Sequence, residues 1–390
     1  NKKIRATDGV PVRRSFARRD KAGRMPAVWE NLRAAARSRT VHDFGGRRLR
    51  GVVQVRRLEA LSKITLAHGA GGKLSADLIR EIILPTFDNE YLSELHDGAK
   101  LGKIAMTTDS YVVRPIFFRG GDIGKLAICG TVNDLAVTGA VPKFISAGVI
   151  LEEGFDVDDL KKIAASMALA AKEAGVKIVT GDTKVVGRGQ ADGIFINTAG
   201  VGELIEGVDI SARNVRAGMR VLISGTIGEH AATILAERHG LELPENIKSD
   251  CAPLNKMIFE MLNVEPKIAM LRDATRGGVA AVLNEIAAAA NVGIIIDENK
   301  IPIRAEVRGV CEILGFDALE LANEGKIIAV VPADSAEKIL AEMKKASYGA
   351  NAADIGEVTE KFAGKVGLRT AIGGLRIVDM PVGNLVPRIC

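Results

Sequence analysis

The stretch IGKLAICGTVNDLAVTGAVPKFISAGVIL, residues 123–151, decides the fold. Ile123–Val137 places apolar residues at helical spacing, and beyond a Thr-Gly break Phe144–Leu151 is a short apolar run of strand length. A helix followed at once by a buried strand is the repeating unit of a layered α/β structure. Working outward, Ile104–Thr108 reads as a strand, Asp158–Ala174 as a helix closed by Gly175, and Val176–Thr180 and Ile194–Val201 as strands. The polar segment Glu203–Gly218 reads as a junction. A second alternation starts with a strand at Met219–Ser224 and continues through helices near Glu229–His239, Pro253–Leu262 and Gly278–Ala290. It then predicts a strand at Val292–Ile296, a helix at Arg304–Leu314, a strand at Lys326–Val331, a helix at Ser335–Lys345 and a strand near Asp354–Val358. The expectation is an α/β (α+β) chain with two comparable domains, residues 64–210 and 211–379. In Met380–Cys390, Pro381, Gly383, Asn384 and Pro387 break both periods, so an extended, mobile tail is expected.

The chain has 390 residues and is 47% hydrophobic, enough to bury one or two full cores. Its longest apolar runs, such as Phe144–Leu151 and Met219–Ile223, fall far below the roughly 18 residues that span a bilayer. Charge is distributed unevenly. Residues 1–63 carry 18 Lys/Arg against 5 Asp/Glu, a net of +13, while the whole chain is +5, so residues 64–390 carry −8. An acidic body argues against a core that binds a phosphate backbone. The basic arm, which also holds Trp29, is read as a disordered or non-native extension, with a transit peptide or a nucleic-acid arm as the alternatives.

Cys129, Cys251, Cys311 and Cys390 form no CxxC pair, so neither a zinc knuckle nor a disulfide framework is suggested, and a reducing cytoplasm fits. The first three sit in or beside apolar segments as small buried hydrophobes. Cys390 is the last residue, where no core is expected to enclose it.

Five aspartates recur at positions read as turns or strand ends: Asp97 in LHDGAKL, Asp109 in MTTDS, Asp134 in TVNDLA, Asp182 in TGDTK and Asp273 in RDATRGG. Converging carboxylates without a His/Cys cluster suit Mg²⁺ bridging to a nucleotide rather than zinc. Singly, each is equally a helix cap or a turn residue. In Arg272–Gly278, a Gly-Gly entry into the apolar run Val279–Ala290 offers backbone N–H groups to a phosphate, and a structural turn is the alternative. No GxxxxGK[ST] stretch occurs, so the chain is not a P-loop NTPase. His68–Lys73, HGAGGK, is either a strand-to-helix loop or an active-site lid.

HGAGGK, TTDS, GGDIGKLAICGTVNDLAVTGA, ILEEGF, VTGDTKVV, DGIFINTAGVG, RDATRGGVA, ANEGK and the terminal PRIC, in this order over residues 64–390, resemble the hydrogenase expression/formation protein HypE family. These are carbamoyl dehydratases of the superfamily that includes aminoimidazole ribonucleotide synthetase and selenophosphate synthetase. The resemblance implies a two-domain PurM-like fold, a homodimer whose N-terminal domains join through their sheets, and ATP near the dimer interface and the C-terminal domain. Position by position it implies Asp97, Asp109, Asp134 and Asp273 as Mg²⁺-nucleotide ligands, and Gly277 and Gly278 as phosphate-contacting backbone. It places Asn133, Asp182, Thr183 and Thr275 at nucleotide-contacting positions. Lys184 and Glu324 resemble residues that handle protons or contact phosphate, and His68 and Cys390 complete the catalytic set. Two departures are visible: HDGAK replaces a more acidic DDAA-like stretch, and Ala70 stands where a serine is frequent.

The implied reaction is an ATP-dependent dehydration of a carbamoyl group on Cys390 to a thiocyanate, which supplies cyanide for the iron of a NiFe hydrogenase. The implied partners are a HypF-like carbamoyltransferase and HypC/HypD-like iron scaffolds. Hydroxide leaves an amide poorly, so the γ-phosphoryl of ATP would convert the oxygen into phosphate. Residues Gly383–Cys390 reach at most about 26–29 Å when extended, enough to swing between solvent and a pocket. Arg388 is either an offset for the terminal charge beside the thiol or a solvated tail cation. The rival readings are a selenophosphate synthetase-like kinase, which expects a cysteine in the loop where His68–Lys73 has none, and a non-enzymatic maturation carrier.

Overall fold

The computed structural model describes residues 63–390 apart from Asn384, Leu385 and Pro387. The expectations for the basic arm therefore lie outside the described residues, Lys63 excepted. Among the described residues no helix is long and apolar enough to cross a membrane.

The first part of the body is a five-stranded mixed sheet built from β1 (Ala99–Leu101), β2 (Ile104–Tyr111), β5 (Ala140–Glu152), β6 (Lys177–Val186) and β7 (Ile194–Leu204). Its order is β1-β2-β7-β5-β6, with β5 and β6 parallel and the other pairs antiparallel. A small hairpin of β3 (Phe117–Phe118) and β4 (Gly121–Asp122) precedes the main helix. A helical stretch upstream comprises α1 (Lys73–Leu78), one π turn (Ile79–Ile83) and α2 (Leu84–Phe87).

Helix α3 (Ile123–Val137) has the bounds that its sequence predicts. Asp122 starts it by accepting the N–H groups of Gly124 (2.7 Å) and Lys125 (3.0 Å), which satisfies two of the unpaired donors of the first turn. Every α3 residue except Lys125 is buried, because the helix lies between the sheet and the second half of the body. Helix α4 (Val157–Ala174) covers the same side and ends at Gly175, whose φ of 77° is the left-handed cap that glycine adopts without a Cβ penalty.

The period of two along β2 sends Ala105, Thr107 and Tyr111 toward α3, and Ile104, Met106 and Thr108 to the other face. That other face is open. It carries Ile104, Met106, Phe144 and Ile150, each at least 40% exposed, and β6 is an edge strand exposed along almost its whole length.

The second part is a seven-stranded sheet in the order β14-β13-β10-β12-β8-β11-β9, again mixed, with only β10 and β13 parallel. Its strands are β8 (Arg220–Ile223), β9 (Met270–Asp273), β10 (Gly293–Asp297), β11 (Ile327–Val331), β12 (Ala353–Thr359), β13 (Val366–Arg369) and β14 (Leu375–Val378). The helices are α5 (Glu229–His239), α6 (Asn255–Val264), α7 (Gly278–Ala290), α8 (Ala305–Leu314) and α9 (Ala336–Lys345). Strand β11, Ile-Ile-Ala-Val-Val, paired on both sides by β8 and β9, is buried throughout, as a strand covered on both faces must be. The junction expected at Glu203–Gly218 begins later, since β7 runs on to Leu204.

The tail departs most from expectation. Val386 and Ile389 are buried in the core that includes α3 and α5, and Cys390 is half-buried against it. Val112 N–H donates to the Cys390 carbonyl (2.9 Å) and Arg114 N–H to the Arg388 carbonyl (3.2 Å), so the tail pairs with the chain just beyond β2. The prediction that nothing encloses Cys390 is corrected: two apolar side chains and two backbone bonds are enough to seat it.

Candidate functional site

Four of the five aspartates meet, each delivered by a different element. Asp97 comes from the turn before β1, Asp109 from within β2, Asp134 from the last turn of α3 and Asp273 from the end of β9. Carboxylate oxygens of Asp97, Asp134 and Asp273 all lie within 4.8 Å of one another, and the charge of Asp109 acts on all three. Thr107 Oγ1 lies 2.9 Å from Asp134 Oδ2 and 2.7 Å from the Asp97 carbonyl, tying two of the acids to β2.

Burial and then the neighbouring acids push three of these carboxyls up, Asp97 to about 6 and Asp134 and Asp273 well above the carboxylate range; Asp109 rises through burial, against Arg276 and its hydrogen bonds to Tyr111 and Asp134. Arg272 Nε, 2.9 Å from Asp97 Oδ2, offsets only part of this charge. A buried group of acids that cannot all ionise side by side fits a hard divalent cation. His96, where a more acidic stretch was the point of comparison, is held neutral: burial and the nearby Arg272 and Lys100 push it down to about 3.

Charges of this group act on the Cys390 thiol. Burial pushes it up to about 12, the charges of Glu324, Asp109 and Asp273 push the same way, and Arg276 opposes them. Glu324 is buried, its Oε1 has no hydrogen-bond partner among the described residues, and burial holds its carboxyl well above the usual range. Its backbone is clamped: Asp250 accepts the N–H groups of Glu324 (3.1 Å) and Gly325 (3.3 Å) while Lys326 Nζ lies 3.0 Å from the same carboxylate. The cation opposite the thiol is thus Arg276; Arg388 is spent on Asp192 and, at 2.8 Å, on the Val112 carbonyl.

The two glycine-rich stretches are in contact. Gly277 and Gly278 have φ of 76° and 61°, and a Cβ on Gly277 would stand 2.6 Å from the Gly71 carbonyl. HGAGGK therefore packs directly on the RDATRGG turn, an approach that only glycine permits. The Gly278 N–H closes that turn onto the Thr275 carbonyl at 2.9 Å, so it is not the free donor that the sequence suggested. His68 is buried; Thr65 N–H donates to its Nδ1 at 3.0 Å, and Nε2 has no partner among the described residues.

The remaining expected residues lie differently. Asp182, Thr183 and Lys184 sit inside the exposed strand β6, not at a turn; Asp182 and Lys184 pair with each other at 2.6 Å, which pulls the Asp182 carboxyl down. Register puts Asp182 beside Gly148 and Lys184 beside Ile150, on the open face of the sheet. Asn133 is also corrected: its amide donates to the Ala252 carbonyl (3.1 Å) and accepts Leu254 N–H (2.8 Å), pinning α3 to the segment before α6. Sequence reasoning passed over Arg272 and Arg276, although both flank the quoted glycines, and Asp250, whose partner lies 76 positions away.

Two family models match the body: AIR synthase related protein, N-terminal domain, at residues 92–204, and AIR synthase related protein, C-terminal domain, at residues 216–369. The chain is 50% identical over 334 residues to the carbamoyl dehydratase HypE of Rhodobacter capsulatus, covering 84% of this chain and 98% of that one. It belongs to the HypE family. Two solved structures agree in fold. One, of a HypE-HypF complex, is 53% identical with a TM-score of 0.75, covering 78% of this chain and 99% of that one. The other, of HypE in complex with ATP, is 47% identical with a TM-score of 0.72, covering 84% and 100%. As a HypE-family chain it is an enzyme of hydrogenase maturation, a carbamoyl dehydratase, and the selenophosphate synthetase-like and carrier readings are not favoured.

Proposed function

We propose that the chain removes water from a carbamoyl group carried on the Cys390 sulfur, using ATP, and leaves an S-cyano group there. The observation that carries this reading is the convergence of the aspartates, two of which act on the Cys390 thiol together with Arg276 and with Glu324, whose Oε1 has no partner among the described residues. A thiocarbamate becomes a thiocyanate by losing its oxygen and two nitrogen-bound protons. The oxygen leaves as phosphate once it accepts the γ-phosphoryl group; Glu324, whose burial makes its carboxylate a stronger base than usual, would take one nitrogen proton and the departing phosphate the other. Arg276 offsets negative charge next to the sulfur. Asp97, Asp109, Asp134 and Asp273 would hold Mg²⁺, which when bound neutralises charge spread over the phosphoryl oxygens.

The open face of the five-stranded sheet, with Met106, Phe144 and Ile150 exposed, supports a homodimer joined there, which would bring β6 with Asp182 and Lys184 into the interface. A HypF-like carbamoyltransferase would load Cys390, as the HypE-HypF complex of a relative suggests, and HypC/HypD-like scaffolds would receive the cyano group. Free, unpaired cysteines support a cytoplasmic setting.

The test is the intact mass of the protein after incubation with a carbamoyl donor system and ATP, with and without magnesium. A carbamoyl adduct on Cys390 that loses the mass of water only when ATP and magnesium are present supports the reading. An adduct on another residue, or no loss of water, refutes it.

A further inference from the structure

Two groups that the chemistry above leaves unused hold the docked tail. His230 on α5 is fully buried, and its ring stands edge-on to Phe118 at 5.3 Å and 86°. Its Nε2 lies 2.8 Å from the Ile389 carbonyl, one residue before the reactive cysteine. A carbonyl only accepts, so Nε2 carries the proton. Nδ1 then accepts the hydroxyl of Ser249 at 2.7 Å, and Ser249 Oγ accepts Cys251 N–H at 3.1 Å. The imidazole is thereby fixed in one tautomer, and burial pushes its pKa down. At the mouth, Asp192 accepts from both Arg388 and Arg114, and Arg238 Nη2 donates to the Arg388 carbonyl at 2.6 Å.

We propose that His230 and Asp192 are positioning residues that form a two-ended latch, setting how much of the time the Cys390 thiol is docked. The inference rests on the reading that Cys390 carries the reacting group and must leave the pocket to be loaded. Undocking strips the His230 Nε2–H of its acceptor in a dry interior, a penalty that a solvent-facing bond does not carry. The outer end is weaker, because the side chains of Asp192 and Arg388 keep 39% and 26% of their exposure, and water can replace the carboxylate. Depth and exit are thus set separately: His230 fixes how far in the sulfur sits, and Asp192 how readily the tail peels away.

The test uses the full chain and measures alkylation of Cys390 by iodoacetamide at pH 8.5, located by peptide mass mapping, beside steady-state dehydration. His230→Leu should raise the alkylation rate roughly tenfold, and Asp192→Asn by about threefold. Both should lower kcat with the KM for ATP unchanged. His230→Gln, which keeps an N–H donor, should recover much of the wild-type behaviour. If His230→Leu does not fold, Asp192→Asn decides alone, because its side chain is at the surface. Unchanged alkylation in the folded variants overturns the latch, even where turnover falls. The alkylation arm holds whether or not the wild-type protein yields a cyano adduct, so failure of the latch and failure of the dehydratase reading are separate results.

Discussion

Glu324 acts on the Cys390 thiol through its charge, which adds to burial in pushing the thiol up to about 12. A base in that position must be ionised to act, so the rate should rise with pH through the elevated pKa of Glu324. Glu324→Gln should lower dehydration about 10²–10⁴-fold and flatten that rise while leaving ATP affinity intact. Single-turnover rates between pH 5.5 and 9 with pre-carbamoylated protein are the measurement.

Cys390→Ala should abolish carbamoyl and cyano adducts and leave ATP binding unchanged, since the four aspartates and the glycine turns come from other elements. Intact mass and calorimetric ATP titration decide it. Adducts that persist in this variant would mean that the sulfur is elsewhere.

The acid group should cost stability as it ionises. Asp97 rises from an ordinary 3.8 to about 6, so the folded state holds its proton longer than the unfolded chain. Stability from this group therefore falls as pH increases from about 4 to about 6, by on the order of 3 kcal/mol. Magnesium should raise Tm more at pH 7.5 than at pH 4.5, and Asp134→Asn should raise the metal-free Tm while weakening that response. Equal shifts at both pH values would argue against a cation there.

The exposed apolar residues of the first sheet make an oligomer prediction. Met106→Glu and Phe144→Glu, on adjoining parts of the open face, should yield a monomer in sedimentation velocity without loss of helical circular dichroism. A wild-type monomer at micromolar concentration would exclude the proposed dimer.

Most of the fold was legible because its signals are local. Ile123–Val137, Glu229–His239 and Gly278–Ala290 match the predicted helices, each marked by an apolar period and a polar or glycine cap. The strands that escaped, β1, β3, β4, β9, β13 and β14, are two to four residues long, too short for a period of two to register. Within the site, the convergence of Asp97, Asp109, Asp134 and Asp273 was legible from carboxylates recurring without a His/Cys cluster, whereas Asp182 lies on exposed β6 and the Gly278 N–H is already bonded. Asn133 was assigned through the family resemblance, and its amide partners, Ala252 and Leu254, lie 119 and 121 positions away, where no local pattern records them. The seating of the tail was hidden for another reason: His230 and Asp192 are some 159 and 196 positions from their tail partners, and no local pattern records such contacts.

The backbone rungs between Val112 and Cys390 and between Arg114 and Arg388 carry a last implication. Once undocked, the Cys390 and Arg388 carbonyls are free to accept again, from water or from a receiver's N–H groups. A protein that takes up this sulfur on an unpaired strand edge would exchange one set of main-chain bonds for another at little net cost.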